Sequence, residues 1–302
     1  MNNSINNFTK RCRLLQSLYR EEIQEPMGVG PRKTSKTKQI SMIDNGENTG
    51  RNFVNSFTFD YAKHRVEGKK RNETIDEYRL FNNLLSSQPM AFNLFCPFME
   101  MLKNGKEVLV TKIISSVFPQ LSIGEVTEIE LEYLHTDVEN YLNDRTAMDA
   151  IIRYTDEFMR PCFIAIETKY TDVLGTNSAR DTDRQKSLIK QLGYFKADSE
   201  EELLKDKKPI SQIYRNFLQS ECYRIKEPAY DCISIVLSPK DHPTTEEEVK
   251  SLQDELIPEF KHKIQALSLE DFVDRTLKVC PPEEASSFIW FKDRYLNFEK
   301  IK

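Results

Sequence analysis

The sequence predicts an α/β fold with a central mixed β-sheet flanked by helices. Three observations point there. Segments 123–134, 146–154 and 161–170 carry the short-period, apolar-rich patterning of three sequential strands. The run DCISIVLSP (231–239) reads as a further strand, and so short an apolar run suits an interior position. Helical patterning lies before, between and after these strands. The resulting order of helix, three strands, helix, strand, helix describes an α/β domain rather than an all-β or all-α one.

Bulk properties set the frame. The chain has 302 residues, enough for one large domain or two small ones, and 39% of them are hydrophobic, which supports a packed core and excludes global disorder. A net charge of -5 excludes a uniformly basic nucleic-acid coat, though a local basic cleft is compatible with it. The six cysteines (12, 96, 162, 222, 232 and 280) form no CxxC pair and several lie in apolar runs, so they read as reduced, buried residues of a cytoplasmic protein. The four histidines (64, 135, 242 and 262) lack ligand spacing. There is no N-terminal apolar segment of the signal type, and no apolar run of the ~18 residues that a membrane helix needs.

The elements follow in order. Residues 8–24 carry Leu14, Leu15 and Leu18 at helical spacing among charges, which predicts a short amphipathic helix. Residues 26–50 are rich in Gly, Pro, Ser, Asn and Lys and predict a loop. Residues 1–50 thus form an N-terminal helical arm and loop ahead of the main domain, 51–302. Arg32, Lys33, Lys36 and Lys38 of the loop suit a solvated charged surface better than a phosphate site. Residues 73–103 predict two helical pieces broken at SSQP, where a Ser cap and Pro89 suit the first turn of a new helix. The second piece, MAFNLFCPFMEMLK, is apolar almost all round and predicts a buried helix. The alternation of IGEVTEIELEYL (123–134) is imperfect, and TAMDAIIRY (146–154) and PCFIAIETKY (161–170) complete a meander. Residues 182–222 look helical, interrupted near Lys207 to Pro209, and 244–302 are mainly helical.

The hairpin TAMDAIIRY–TDEFMR–PCFIAIETKY carries the chemistry. Folded symmetrically about Phe158, it sets Asp149 opposite Glu167, Ile151 opposite Ala165 and Arg153 opposite Phe163. Side chains alternate along a strand, so Lys169 shares the face of Glu167. Two opposed carboxylates at the edge of an apolar sheet repel one another, and a positive group belongs between them. Lys169 is one answer. A divalent cation is the other, since Mg²⁺ takes carboxylate oxygens and keeps several waters. Such an ion can bind a phosphate oxygen and acidify a water, with Lys169 orienting or deprotonating that water, or stabilising charge on phosphorus. Acid-x-Lys alone carries little information. It recurs at Glu67/Lys69, Asp206/Lys208, Glu248/Lys250 and Glu259/Lys261, where solvated charges or local ion pairs account for it. Only Glu167/Lys169 ends an apolar strand with an acid on the paired strand. A salt bridge at the sheet rim would account for these residues equally well.

Asp149, then Glu167-Thr168-Lys169 on the next strand, within this order of elements, resembles the PD-(D/E)xK nuclease superfamily, and more closely an uncharacterised bacterial restriction-endonuclease-like family within it. The stretches that carry the resemblance are RCRLLQSLYRE (11–21), NNLLSSQPMAFNLF (82–95), LEYL (131–134), AMDAIIRY (147–154), IAIETKYTD (164–172), QIYRNFLQ (212–219) and DRYLNFEK (293–300), which span most of the chain. Met148 stands where the name motif has proline, a proline that is often absent. The resemblance implies a restriction-endonuclease-like core and a Mg²⁺- or Mn²⁺-dependent endonuclease acting on DNA, in restriction or host defence. It implies Asp149, Glu167 and Thr168 at the metal and Lys169 as catalytic lysine. A homodimer would suit cutting of both strands. A partner methyltransferase, a substrate of RNA or branched DNA, and a binding module of the same fold without the chemistry all stay open. Further positions are less specific. Glu132 is either a third acid or a surface glutamate. Gln212 and Arg215, one helical turn apart, either reach the scissile phosphate or anchor their helix. Gln88 either caps its helix or points at the site. Tyr170, Trp290 and Phe291 read as packing residues.

Overall fold

A computed structural model of the chain describes residues 2–30, 32–70, 73–172, 182–204 and 211–301. In chain order the elements are α1 (Asn2–Glu22), β1 (Met27–Val29), β2 (Lys38–Ile43), α2 (Gly46–Thr49), α3 (Ser56–Glu67), α4 (Glu77–Asn82), α5 (Ser87–Lys103), α6 (Glu107–Val117), β3 (Ile123–Tyr133), β4 (Met148–Asp156), β5 (Pro161–Thr168), α7 (Thr182–Leu192), α8 (Ala197–Leu204), α9 (Gln212–Lys226), β6 (Asp231–Ser238), α10 (Thr245–Glu255), β7 (Ile264–Ser268), α11 (Leu269–Val279) and α12 (Ser286–Leu296). Five strands form one mixed sheet in the order β3-β4-β5-β6-β7. The first three pair antiparallel, and β5, β6 and β7 pair parallel. The apolar run of β6 therefore lies in the interior of the sheet, as its composition predicts. Both faces of the sheet are covered. One packs against α5, α6, α11 and α12, and the other against α7, α9 and α10. This is the three-layer arrangement that buried parallel strands require.

The β4–β5 register matches the symmetric hairpin, with Ala150 opposite Ile166, Ile151 opposite Ala165 and Arg153 opposite Phe163. The imperfect alternation of β3 has a physical cause. The β3–β4 register shifts between Ile123 and Glu125 and again between Val126 and Glu128, and these irregularities keep Val126, Ile129 and Leu131 turned into one helical layer. Ser86 caps α5, accepting from the Gln88 amide, and Pro89 lies in the first turn as expected. Every position of α5 from Gln88 to Phe98 is buried.

Several elements depart from the sequence reading. Residues 26–50 hold the small hairpin β1–β2 and the short helix α2 rather than a featureless loop. Ser41, Met42 and Ile43 are buried beside α1, so tertiary packing overrides the polar composition. Helix α1 begins earlier than its apolar stripe indicates, and Leu14 in that stripe points to solvent. The strand β7 lies within a stretch read as helical; its five residues become a strand by pairing with β6. Helices α3 and α6 have no counterpart in the sequence reading. Helix α7 ends at Leu192, where Gly193 takes a left-handed φ of 62°. The interruption expected near Lys207 to Pro209, and the Asp206/Lys208 pair, lie outside the described residues.

The chain's first and last helices are bound together by one buried guanidinium. Arg294 of α12 donates to Gln16 Oε1 of α1 (3.2 Å) and to the Asn52 main-chain oxygen (2.7 Å), and packs over the rings of Tyr19 and Tyr295. Gln16 in turn donates to Tyr170 Oη and to the Arg294 carbonyl. Removing one member leaves buried acceptors unpaired, which costs about 1–3 kcal/mol for each. Arg294→Met should therefore lower the unfolding free energy by roughly 3 kcal/mol or more, read by urea denaturation followed by circular dichroism. A midpoint like that of the wild type would show that the network contributes little.

Candidate active site

The C-terminal end of β5 and its neighbours gather the charged residues singled out from the sequence. The β4–β5 ladder stops at Ala150 and Ile166. Beyond it, Asp149 Oδ2 accepts from both the Thr168 amide (2.6 Å) and the Thr168 hydroxyl (2.7 Å), so a side chain takes over where strand pairing ends. The Lys169 amide donates to the Leu237 carbonyl of β6 at 2.7 Å, which fixes the main chain just past the strand. Lys169 Nζ lies 2.7 Å from Glu167 Oε1, and both side chains are buried. Gln212, the first residue of α9, donates to the same Glu167 oxygen at 3.1 Å. Asp149, Glu167, Thr168, Lys169 and Gln212 are thus brought together.

Glu132 joins them from β3. It sits between the paired positions Leu131–Ala150 and Tyr133–Met148, level with Asp149, so three adjacent strands present Glu132, Asp149 and Glu167 in a row. Glu132 has a left-handed φ of 51°, a conformation that costs a non-glycine residue roughly 1–2 kcal/mol. Its carboxylate is buried and accepts from Gln88 Nε2 at 3.0 Å, and its carbonyl accepts from Arg65. It is therefore not a surface glutamate. Gln88, two residues past the Ser86 cap, points at the site. Arg215 pairs with Asp144 at 2.7 Å and with the Thr146 hydroxyl, which ties α9 to the segment entering β4. Tyr170 points away from Lys169 into the opposite layer and is fully buried, as is Phe291, while Trp290 packs edge-on against Tyr19.

The electrostatics follow from crowding. Burial, then the charges of Glu167 and Glu132, push the Asp149 carboxyl well above the usual range, against the pull of Lys169 and Thr168. Burial raises Glu132 from 4.5 to about 7; the Gln88 hydrogen bond lowers it and the Glu167 charge raises it further. Burial would lower the Lys169 ammonium, but the charges of Glu167 and Asp149 outweigh it and hold the group above its ordinary value. Lys169 is a cation at neutral pH, a donor of hydrogen bonds rather than a base. Asp149 and Glu132 hold their protons above the ordinary carboxylate range even though Lys169 acts on Asp149, and Arg65 and Arg79 act on Glu132.

The donor set fits a hard divalent ion. Asp149 Oδ1 and Glu167 Oε2 accept no hydrogen bond from the described residues, while the opposite oxygens are held fixed. Among the described residues no group of three or more His, Cys, Asp or Glu side chains is arranged to hold a metal. Two carboxylates with water and main-chain oxygen suffice for Mg²⁺, which rarely sits in an all-protein cage. Asp144, the partner of Arg215, has no place among the residues singled out from the sequence. An acid in a loop carries no strand periodicity, so only the fold reveals its partner.

A family model described as the PD-(D/E)XK nuclease superfamily matches residues 3–297. No curated protein and no solved structure matches the chain.

The raised acids set a pH dependence. A carboxyl that holds its proton more tightly when folded stabilises the fold fully below its unfolded pKa and loses that contribution as pH rises through its folded pKa. For Glu132 the window runs from 4.5 to about 7. The melting temperature of the metal-free protein should fall from pH 5 to pH 8, and Glu132→Gln should flatten that fall by on the order of 3 kcal/mol of folding free energy. Parallel pH profiles for wild type and variant, measured by differential scanning fluorimetry in EDTA, would contradict a strained, buried acid at this position.

Proposed function

The chain belongs to the PD-(D/E)XK nuclease superfamily, and from that premise we propose that it is a metal-dependent endonuclease hydrolysing DNA phosphodiester bonds, working in restriction or host defence. A nuclease acts on nucleic acid; the choice of DNA, of the ion and of the biological role is our reading. The observation that carries it is the row of Glu132, Asp149 and Glu167 across three strands, with the Lys169 ammonium against Glu167.

Asp149 and Glu167 would hold Mg²⁺ or Mn²⁺ through their unused oxygens, with the Thr168 main chain as a further donor. When bound, such an ion polarises a phosphate oxygen and lowers the pKa of a water. The protein's own residues do the rest. An ammonium has three donors, and Glu167 occupies one of them, so Lys169 can turn the others to the oxygens of a bound phosphate as negative charge develops there. Gln212 keeps Glu167 in place by bonding the oxygen that Lys169 also uses. The two Thr168 donors fix the Asp149 rotamer, so its remaining oxygen has one direction to face. Gln88 holds Glu132 next to this pair, where it can carry a proton near neutral pH. Asp149 and Glu132 hold their protons above the ordinary carboxylate range, so cation binding here would strengthen as pH rises and they ionise. Two chains, each cutting one strand, would act on duplex DNA.

Purified protein incubated with plasmid and linear DNA should cut in Mg²⁺ or Mn²⁺ and not in EDTA. Lys169→Ala should reduce the rate by about 10²-fold or more, the scale for removing one positioned charge donor. Equal residual cutting by both proteins would mark a contaminant and remove the assignment. Calorimetry with Mn²⁺ should show binding that Asp149→Asn weakens strongly. A wild-type chain that binds no divalent ion would remove the metal from this reading.

A further inference from the structure

A second feature lies beside the acids and is not used by them. A polar cleft of ≈ 630 Å³ opens where α1, the β1–β2 hairpin and the α4–α5 junction meet the end of β5. Its walls include Arg13, Arg32, Arg79, Ser86, Thr171 and Asp172. Thr171 and Asp172 follow Lys169 by two and three residues, so the cleft begins where the candidate site ends. Ser86 is the cap of α5, and Gln88 beyond it bonds Glu132. Arg79 donates to the Ser86 hydroxyl at 3.3 Å, and its charge reaches Glu132.

We propose that this cleft is a phosphate-binding site in which Arg13 and Arg32, supported by Arg79, seat one backbone phosphate of a DNA strand to one side of the bond presented to Lys169. The inference rests on the nuclease reading for its ligand, while the cleft stands on its own geometry.

The balance of charge points to an anion. Two acids also wall the cleft, and each has a partner. Asp76 accepts from the Arg79 amide as the cap of α4, and Asp172 lies 3.7 Å from the Arg79 guanidinium. Among the described residues neither Arg13 nor Arg32 meets a carboxylate. Arg13 Nε is shielded from solvent and has no hydrogen-bond partner there, and a buried donor left unmade costs about 1–3 kcal/mol. A ligand oxygen would satisfy it. Guanidinium groups match phosphate oxygens in pairs, and a cleft of this size admits a phosphate with its flanking sugars. The chain as a whole carries a net charge of -5, so attraction for nucleic acid has to come from a local cluster of this kind. A different cleft, which Glu132 itself lines together with His64, Arg65 and Lys70, is a poorer match, because Arg65 is already paired with Glu73 and with the Glu132 carbonyl.

The test is binding without catalysis. A fluorescein-labelled DNA duplex is titrated with the full chain in EDTA, by anisotropy, over a series of salt concentrations. Arg13→Ala and Arg32→Ala should each weaken binding several-fold, and should each flatten the plot of log affinity against log salt by about 0.9, the increment for one lost phosphate contact. Arg13→Lys and Arg32→Lys, which keep the charge, should keep the slope. Arg32 is exposed, so its variants report on the cleft without disturbing the packing of α1. Unchanged affinity and slope in both alanine variants would overturn the proposal, as would a wild-type chain that binds no duplex. A chain that binds DNA through these arginines yet never cuts it would leave this site standing while removing the nuclease reading.

Discussion

The structure is organised around a repulsion. Three carboxyl groups stand level on three adjacent strands, largely away from water, with one ammonium among them. A like-charge pair about 4 Å apart costs roughly 4 kcal/mol at an effective dielectric of 20. A fold does not hold such a cluster for stability, and apolar residues at these positions would pack the sheet edge more favourably. What the arrangement keeps is an unmet demand for positive charge at one point. Neutral donors hold the acids there without neutralising them: Gln88 on Glu132, Gln212 on Glu167, and the amide and hydroxyl of Thr168 on Asp149. These contacts fix geometry and leave the electrostatic demand for something that arrives from outside.

The fold meets the mechanical requirement by enclosing the sheet on both faces. Helices α5, α6, α11 and α12 close one side, and α7, α9 and α10 close the other, so the strands that carry the acids have little freedom to splay. Both glutamine clamps sit at helix beginnings, Gln88 at the start of α5 and Gln212 at the start of α9. One comes from each covering layer. The salt bridge of Arg215 with Asp144 then ties the start of α9 to the segment entering β4, so that Gln212 and Asp149 are placed by one local framework. Burial alone would raise the Asp144 carboxyl, but its hydrogen bonds from Arg215 and Thr146 overcome that and hold it below its ordinary value.

Much of this was legible in the chain, for identifiable reasons. The β4–β5 pairing follows from a turn centred on Phe158 between two apolar runs, and a register fixed that way carries Asp149, Glu167 and Lys169 with it. The buried helix α5 was legible because it is apolar on every side and begins with a cap. Glu132 was only half legible, since its place in the row depends on shifts in β3 and on a left-handed residue, neither of which periodicity encodes. The strand β7 and the β1–β2 hairpin were hidden because each is made by its neighbours. IQALS is a strand only beside β6, and a polar stretch such as KQISMI becomes ordered only against α1. The arginine cleft assembles residues from α1, the hairpin and α4, so no single stretch of sequence announces it.

The tie between Arg294, Gln16 and Tyr170 makes the end of β5 depend on segments far from it along the chain. Tyr170, the residue after Lys169, bonds Gln16, 154 positions earlier, and the Tyr295 carbonyl, 125 positions later. A nascent chain that has just emerged through β5 has the acids and the lysine but lacks the carbonyl that seats their neighbour. Tyr170, just past that strand end, has both of these partners only once α12 has docked beside α1. A chain cut short before α12 would thus carry Asp149, Glu167 and Lys169 with their neighbour only half anchored, so long-range closure rather than local pairing completes this strand end.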